Sequence, residues 1–206
     1  VNLLALCALH VWREPLPEVL RREVMDPIGA SATWRWFGYE NSWVTLDGQH
    51  VQSVSGGGHF GGGLFISAWD LARFGYLHLR HGQWAGRWII SEQWIQLART
   101  PGPANPEYGF MNWYLNSDGK ARPGTPPTSV CFVGNGRNIV YVDWDHDLVV
   151  NKYPVGSSQG VKELLRGSVD FARSSRPPKT SGETGSTFWG YAKDGIAIVV
   201  MGGRTP

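Results

Sequence analysis

A glycine-rich stretch followed by a helical pattern, between Ser55 and Gly82, constrains the fold of this chain more than any other feature. Six of the eight residues from 56 to 63 are glycine, which disfavours a helix there and lets the backbone approach its neighbours closely. Ser67 has the character of a helix N-cap, with Asp70 three residues later as in a capping box. Apolar residues then recur near helical spacing at Leu71, Phe74, Tyr76, Leu77 and Leu79. Gly82 lies where a C-terminal glycine is expected, so the stretch predicts a tight loop that packs a helix against a sheet.

Short antiparallel strands are predicted on both sides of this helix. Asp47-Gly48 lies within the segment 44–53 and is a strong signal for a hairpin turn. Asp145-His146 joins two later apolar runs, and a connection this short cannot make a parallel crossover. The other predicted elements are helices at 92–99, capped by Ser91, and at 161–172, and strands at 110–115, 129–133, 138–142 and 148–153.

The bulk composition is typical of a globular chain. The 206 residues are 42% hydrophobic and 17% charged, enough for one domain with a core or for most of a larger one. A net charge of +2 provides no basic surface strong enough to indicate nucleic acid as a partner. Cys7 and Cys131 form neither a disulfide framework nor a metal-ligand spacing.

The two ends of the chain differ from its middle. The segment 1–12 is apolar on nearly every face, is too short to cross a bilayer and lacks the features of a signal peptide. A helix that is apolar all round is normally buried, so we expect a core helix of a domain that is incomplete at its amino terminus. Residues 174–187 are polar and rich in proline and glycine, which predicts a disordered linker. The sequence assigns no role to the short tail at 188–206.

Three segments of the chain carry a family resemblance. In chain order they read VWREPLPEVLRREVMDPIGAS, GGGLFISAWDLARFGYLHLRHGQWAGRWIISEQWI and GNGRNIVYVDWDHDLVV. Together they resemble the serine β-lactamase-related hydrolases, which include class C β-lactamases, D-alanyl-D-alanine carboxypeptidases and related esterases. The resemblance covers residues 1–173 and implies the carboxyl-terminal part of an α+β domain like that of penicillin-binding proteins, an antiparallel sheet with flanking helices. It also implies acyl transfer through a serine ester on a small-molecule ester, amide or β-lactam, without metal or cofactor.

The family's catalytic side chains have no counterpart at the corresponding positions of this chain. The nucleophile belongs to a Ser-x-x-Lys motif at a helix start, where the lysine takes or relays the serine proton. The string from Ser117 to Lys120 has this spacing, but it lies in a Gly/Pro-rich loop and comes after the other matches instead of before them. The family's Tyr-x-Asn is also missing. We therefore expect both elements upstream of Val1 and this chain to be inactive alone; a non-catalytic binding relative is the alternative.

The resemblance assigns substrate binding to one strand. In the family this strand carries Lys-Thr-Gly or His-x-Gly, which binds the carboxylate or carbonyl side of the substrate, and the N–H after the glycine forms half of the oxyanion hole. Gly134 would be that glycine, with Asn135 as the N–H donor and Gly136 next to it. Phe132 replaces the lysine or histidine, which favours an ester or amide over a β-lactam carboxylate. Two further residues are candidates to line the cleft: His59 and Tyr108.

Two potential nucleophiles have simpler explanations. The segment 156–160 matches a G-x-S-x-G nucleophile elbow around Ser158. That elbow needs a histidine later in the chain, and all six histidines come before it, so a helix N-cap is the better explanation. Cys131 has no histidine paired with it by pattern, and we expect a buried strand cysteine.

Two potential metal sites also have structural explanations. Aspartates alternate in the segment 143–147 as they do at the opening of a calcium loop, but Leu148 and Pro154 occupy the positions that require glycine and glutamate. A hairpin turn explains these aspartates better. His78 and His81 share a predicted helix face without a third ligand nearby, and we expect both to be solvated.

Overall fold

The computed structural model of the protein describes residues 2–55, 62–120, 122–134 and 138–152. Within those ranges the chain combines four α-helices and one π-helix with short strands, and every strand pairing is antiparallel. The combination of helices with antiparallel strands agrees with the predicted α+β class. The predicted helix at 161–172, the linker at 174–187 and the tail at 188–206 all lie outside the described residues.

The helices lie near the amino terminus and in the middle of the chain. They are α1 (Asn2–Trp12), α2 (Leu16–Leu20), a π-helix (Arg21–Met25) that continues α2, α3 (Ala68–Leu79) and α4 (Glu92–Ala98). Pro15 precedes α2 as its N-cap residue and Pro17 lies in the first turn of α2, where proline is tolerated because its missing N–H has no partner within the helix. Ser91 caps α4 as predicted, since its Oγ accepts a hydrogen bond from the Trp94 N–H at 3.2 Å.

The strands form one five-stranded sheet and three two-stranded ribbons. The sheet has the order β11 (Leu148–Lys152), β10 (Ile139–Asp143), β9 (Val130–Val133), β8 (Asn112–Tyr114) and β7 (Tyr108–Gly109). The ribbons pair β1 (Arg35–Trp36) with β4 (Leu64–Phe65), β2 (Trp43–Leu46) with β3 (Gln49–Gln52), and β5 (Gln83–Trp84) with β6 (Arg87–Trp88).

Both predicted hairpins are confirmed. Asp47 and Gly48, with positive φ angles of 50° and 77°, form the two-residue turn between β2 and β3. Strands β10 and β11 pair antiparallel around residues 144–147. The buried Asp143 carboxylate holds that turn by accepting hydrogen bonds from the backbone N–H groups of Asp145 and His146, each at 3.1 Å. The alternating aspartates therefore belong to a hairpin turn, as predicted.

Helix α3 begins at a buried carboxylate that also binds an earlier part of the chain. The Asp70 side chain is fully buried and accepts hydrogen bonds from the Ser67 hydroxyl at 2.8 Å, the Ser31 hydroxyl at 2.6 Å and the Ser31 N–H at 2.9 Å. The Asp70 N–H donates in turn to Ser67 Oγ at 3.1 Å, which confirms the predicted N-cap. The segment that follows the π-helix is thus joined to the start of α3.

The end of α3 differs from the prediction in one residue. The Gly82 N–H donates to the Leu77 carbonyl at 2.8 Å and the His81 N–H to the His78 carbonyl at 2.9 Å, a Schellman arrangement. The left-handed residue that ends the helix is therefore His81, at a φ of 55°. Gly82, at a φ of 92°, is needed for a second reason, because a Cβ at this position would overlap the Ile90 carbonyl.

Gly75 is the point of closest approach between α3 and the five-stranded sheet. A Cβ on Gly75 would lie 2.7 Å from a methyl group of Val149 and 2.8 Å from a methyl group of Val140. The buried core below this contact contains Leu79, Tyr114, Val130, Val140 and Val142. Asn151 adds a polar contact, because its side-chain amide donates to the Ala68 carbonyl at 2.6 Å.

Helix α1 is buried on one side only. It contributes Leu9, which is fully buried, to a core with Leu46 and Val51 of the β2–β3 ribbon. Leu3 and Val11, however, are 72% and 80% exposed, so α1 has both a buried and an exposed face. The reason is that the described elements cover α1 on one side only. None of the described helices has the length and apolar character needed to cross a membrane.

We expect Gly75→Val to lower the free energy of unfolding by about 1–3 kcal/mol, because the added methyl groups overpack the contact with the sheet. Urea unfolding followed by circular dichroism measures the effect. The same substitution in a Val149→Ala background should cost less, since one of the two crowding side chains is then shortened. An unchanged stability for Gly75→Val would contradict this packing of α3.

Candidate functional site

The central strand β9 is fully paired on one side and partly open on the other. All four of its residues pair with β10. On the other side of β9, β8 pairs with Val130 and Cys131 alone. In the described part of the chain, the stretch 132–134 therefore has no strand partner on the side that faces β8. Unpaired strand edges are sites where a ligand with peptide-like groups can add.

The tight turn between β7 and β8 explains this open edge. Phe110 and Met111 form the turn at φ angles of 49° and 63°, a left-handed conformation that bulky residues rarely adopt. Continued in register, the pairing of β8 with β9 would require residues 111 and 110 to lie opposite 133 and 134. Because both residues are used in the turn, β8 begins only at Asn112 and has no residue opposite 133 and 134.

Phe132 points toward helix α3. Its ring centroid lies 4.9 Å from that of His78 and 5.8 Å from that of Phe74, with edge-to-face geometry in both cases. The side chain is half-buried and is held in the helix–sheet interface. Val133, the next residue, is 49% exposed, as expected for alternating faces of a strand.

Gly134 lies at the exposed end of β9. Its N–H donates to the Asn138 carbonyl at 2.8 Å and closes the segment that leads into β10. A Cβ on Gly134 would lie 3.6 Å from the Asn138 Cβ, which is an ordinary van der Waals contact. The predicted donor Asn135 and its neighbour Gly136 lie outside the described residues, and so does His59.

Tyr108 packs beside a cavity of about 340 Å³. The ring centroid of Tyr108 lies 4.8 Å from that of Trp113, and Trp113 forms one wall of the cavity. The lining residues are Glu107, Trp113, Tyr114, Leu115 and Arg122. Sequence reasoning selected Tyr108 but none of the lining residues, because Glu107 precedes β7 and Arg122 belongs to the loop after β8, and no spacing connects them.

His78 is buried, and the expectation that it is solvated was wrong. It is only 7% exposed, its Nδ1 lies 3.1 Å from the Phe74 carbonyl and its ring centroid lies 4.5 Å from that of Phe74. Burial lowers the pKa of His78 below its ordinary value of 6.5, because the charged form loses its hydration. The side of α3 that carries His78 faces β9, and this rotation of the helix is set by tertiary packing.

The candidate nucleophiles that lie within the described residues are in unsuitable settings. Ser117 to Lys120 form a turn, with the Gly119 N–H bonded to the Asn116 carbonyl at 3.1 Å and the Lys120 N–H to Asp118 Oδ1 at 2.9 Å. This confirms that no helix places Lys120 behind Ser117. Ser158 lies outside the described residues.

Cys131 is a buried strand cysteine, as predicted. The side chain is 4% exposed, and burial raises the pKa of its thiol to about 11, against a smaller lowering effect of the Arg122 charge. The reactive thiolate is therefore scarce at neutral pH.

No protein-family model matches the chain, and no curated protein matches it. Within the described ranges, no group of three or more His, Cys, Asp or Glu side chains is placed to hold a metal ion.

The buried His78 should make the fold sensitive to mild acid. Its pKa is lowered in the folded state, so the unfolded chain binds the proton more tightly, and stability is lost as the pH falls below 6.5. We expect the free energy of unfolding to fall by at most about 1.4 kcal/mol per pH unit. This fall should disappear in His78→Leu. It should persist in the control His10→Leu, because His10 is exposed. Urea unfolding between pH 7.5 and 5 measures it, and an equal loss in both variants would contradict the assignment.

Proposed function

We propose that this chain is the carboxyl-terminal part of a serine hydrolase related to the β-lactamases, which acts on an ester, amide or β-lactam through an acyl-serine intermediate. The observation that carries the proposal is the open edge of β9 at residues 132–134, which ends in an exposed glycine. Two further features support it: the three family-like segments of the sequence, and an antiparallel sheet with α3 packed on it.

In this proposal the substrate carbonyl lies along the open edge of β9. The absence of a side chain at Gly134 leaves room for an acyl group next to the backbone. The Asn135 N–H supplies one donor of the oxyanion hole, where negative charge develops on the carbonyl oxygen during attack. Phe132 provides no charge for a substrate carboxylate, and its ring is packed against His78 and Phe74. An ester or amide is therefore the favoured substrate class.

The nucleophile of the proposed reaction is not supplied by this edge. Ser117 lies in a turn without a lysine positioned to take its proton, and Cys131 is buried. The proposal therefore requires a Ser-x-x-Lys segment in addition to the residues of this chain. The same observation favours a second candidate function, a non-catalytic relative that binds an acyl compound along the edge and does not turn it over.

The purified 206-residue chain should not hydrolyse nitrocefin or short p-nitrophenyl esters, because its sequence lacks the family's Ser-x-x-Lys and Tyr-x-Asn elements at the corresponding positions. A fluorophosphonate probe should likewise fail to label Ser117 and Ser158. Spectrophotometric assay and mass spectrometry of the probe-treated protein measure both. Stoichiometric labelling of either serine would show that the nucleophile lies within this chain.

The role of Gly134 can be tested in a chain that also carries a Ser-x-x-Lys segment. Gly134→Val places a branched side chain where the substrate must lie, and we expect turnover to fall at least about a hundredfold, or about 3 kcal/mol, as when an oxyanion donor is lost. The melting temperature should change little, because the position is exposed and has space for a Cβ.

Gly124→Val is the matched control, since Gly124 is also exposed and a Cβ added there would meet no atom within 4 Å. This variant should keep its activity. Near-normal turnover of Gly134→Val would refute the assignment of β9 as the substrate edge.

A further inference from the structure

The cavity beside β8 is lined by one acidic and one basic residue. Glu107 lies just before β7, Arg122 lies in the loop between β8 and β9, and both side chains are exposed. The volume of about 340 Å³ is at the lower end of the range for ligand pockets, which suits a small molecule. Opposite charges on one small cavity are suited to a ligand that itself carries both signs.

Neither charged side chain is neutralised within the described part of the chain. The hydrogen bonds around Glu107 involve its backbone, whose N–H binds Asn105 Oδ1 and whose carbonyl accepts from the Tyr114 N–H. The Arg122 carbonyl accepts from Thr125, while its guanidinium makes no hydrogen bond or ion pair with the described residues. By contrast, the exposed arginines Arg22 and Arg80 each form an ion pair with a neighbouring acid.

The remaining walls of the cavity are largely apolar. The Trp113 indole is 43% exposed and is supported by the Tyr108 ring, at a centroid distance of 4.8 Å. Leu115 adds an aliphatic surface. An indole supported in this way offers a rigid surface for an apolar or aromatic group, at little cost in side-chain entropy.

We propose that this cavity binds a small zwitterion with an apolar body, of the class of free amino acids and dipeptides. The ligand carboxylate pairs with the Arg122 guanidinium, the ligand ammonium pairs with the Glu107 carboxylate, and the apolar body packs on Trp113. A simple carboxylate would leave Glu107 unpaired beside it, and a simple amine would leave Arg122 unpaired, so a ligand with both groups is favoured. This site is separate from the open edge at 132–134 and does not depend on the proposed hydrolase activity.

Three probes that share a phenylethyl skeleton test the proposal by isothermal titration calorimetry on the 206-residue chain. They are phenylalanine, which carries both charges, 3-phenylpropionate, which carries the carboxylate alone, and 2-phenylethylamine, which carries the ammonium alone. We expect saturable binding of phenylalanine at millimolar concentrations, up to about fivefold tighter than either partial probe, because a charge pair at an exposed position contributes about that factor at most. Absence of saturable binding, or equal affinity for all three probes, would overturn the proposal.

Charge-neutral variants assign the two contacts. Arg122→Gln should remove the preference for phenylalanine over 2-phenylethylamine, and Glu107→Gln should remove its preference over 3-phenylpropionate. Both positions are exposed, so the fold should be retained. Arg87→Gln and Glu40→Gln change the same charges at exposed positions that do not line the cavity and should leave all three affinities unchanged. If the cavity variants behave like these controls, the assignment of the site is wrong.

Discussion

The described structure depends on the buried carboxylate of Asp70. Burial alone would raise the pKa of this group, but the hydrogen bonds from Ser31 and Ser67 and the charge of Arg73 outweigh that effect, and the net shift is downward. The charged form is thus the one that the fold stabilises. Without the donors of Ser31 or without the hydroxyl of Ser67, the buried Asp70 carboxylate would have too few hydrogen-bond partners. An unsatisfied buried charge is among the costliest defects in a protein interior.

The hydrogen bonds between Asp70 and Ser31 join the start of α3 to an earlier part of the chain, and we call this contact the junction. It also affects the candidate site. Asp70 fixes the start of α3, and Gly75 then brings the same helix into close contact with β10 and β11. Further along α3, His78 forms the surface against which Phe132 packs. The open edge of β9 therefore packs on α3 through Phe132, and the first turn of α3 is itself held by Asp70. Under the proposed function this support matters, because small displacements of the strand would misplace a substrate carbonyl.

Local signals predict the elements that local interactions control. The Asp47-Gly48 turn and the N-caps at Ser67 and Ser91 are confirmed, because each rests on contacts within a few residues of sequence. The antiparallel pairing around Asp145-His146 also follows from the length of the connection. For these features, the chemistry that determines the structure is visible in a short window of sequence.

The features that sequence reasoning missed depend on distant parts of the chain. His78 was expected in solvent, but the rotation of α3 against β9 buries it. Glu107 and Arg122 share a cavity only because β7, β8 and the following loop fold together, and no spacing in the sequence reports this. Tertiary contacts of this kind decide burial and site composition without leaving a periodic signal.

The coupling energy between Ser31 and Asp70 tests the central junction most directly. It is obtained from the unfolding free energies of the parent chain, Ser31→Ala, Asp70→Ala and the double variant. A hydrogen bond from the Ser31 hydroxyl to a buried, charged Asp70 predicts a coupling of about 2 kcal/mol at neutral pH. Additive effects of the two substitutions would contradict the junction, since they would show that the hydroxyl and the carboxylate do not interact in the folded protein.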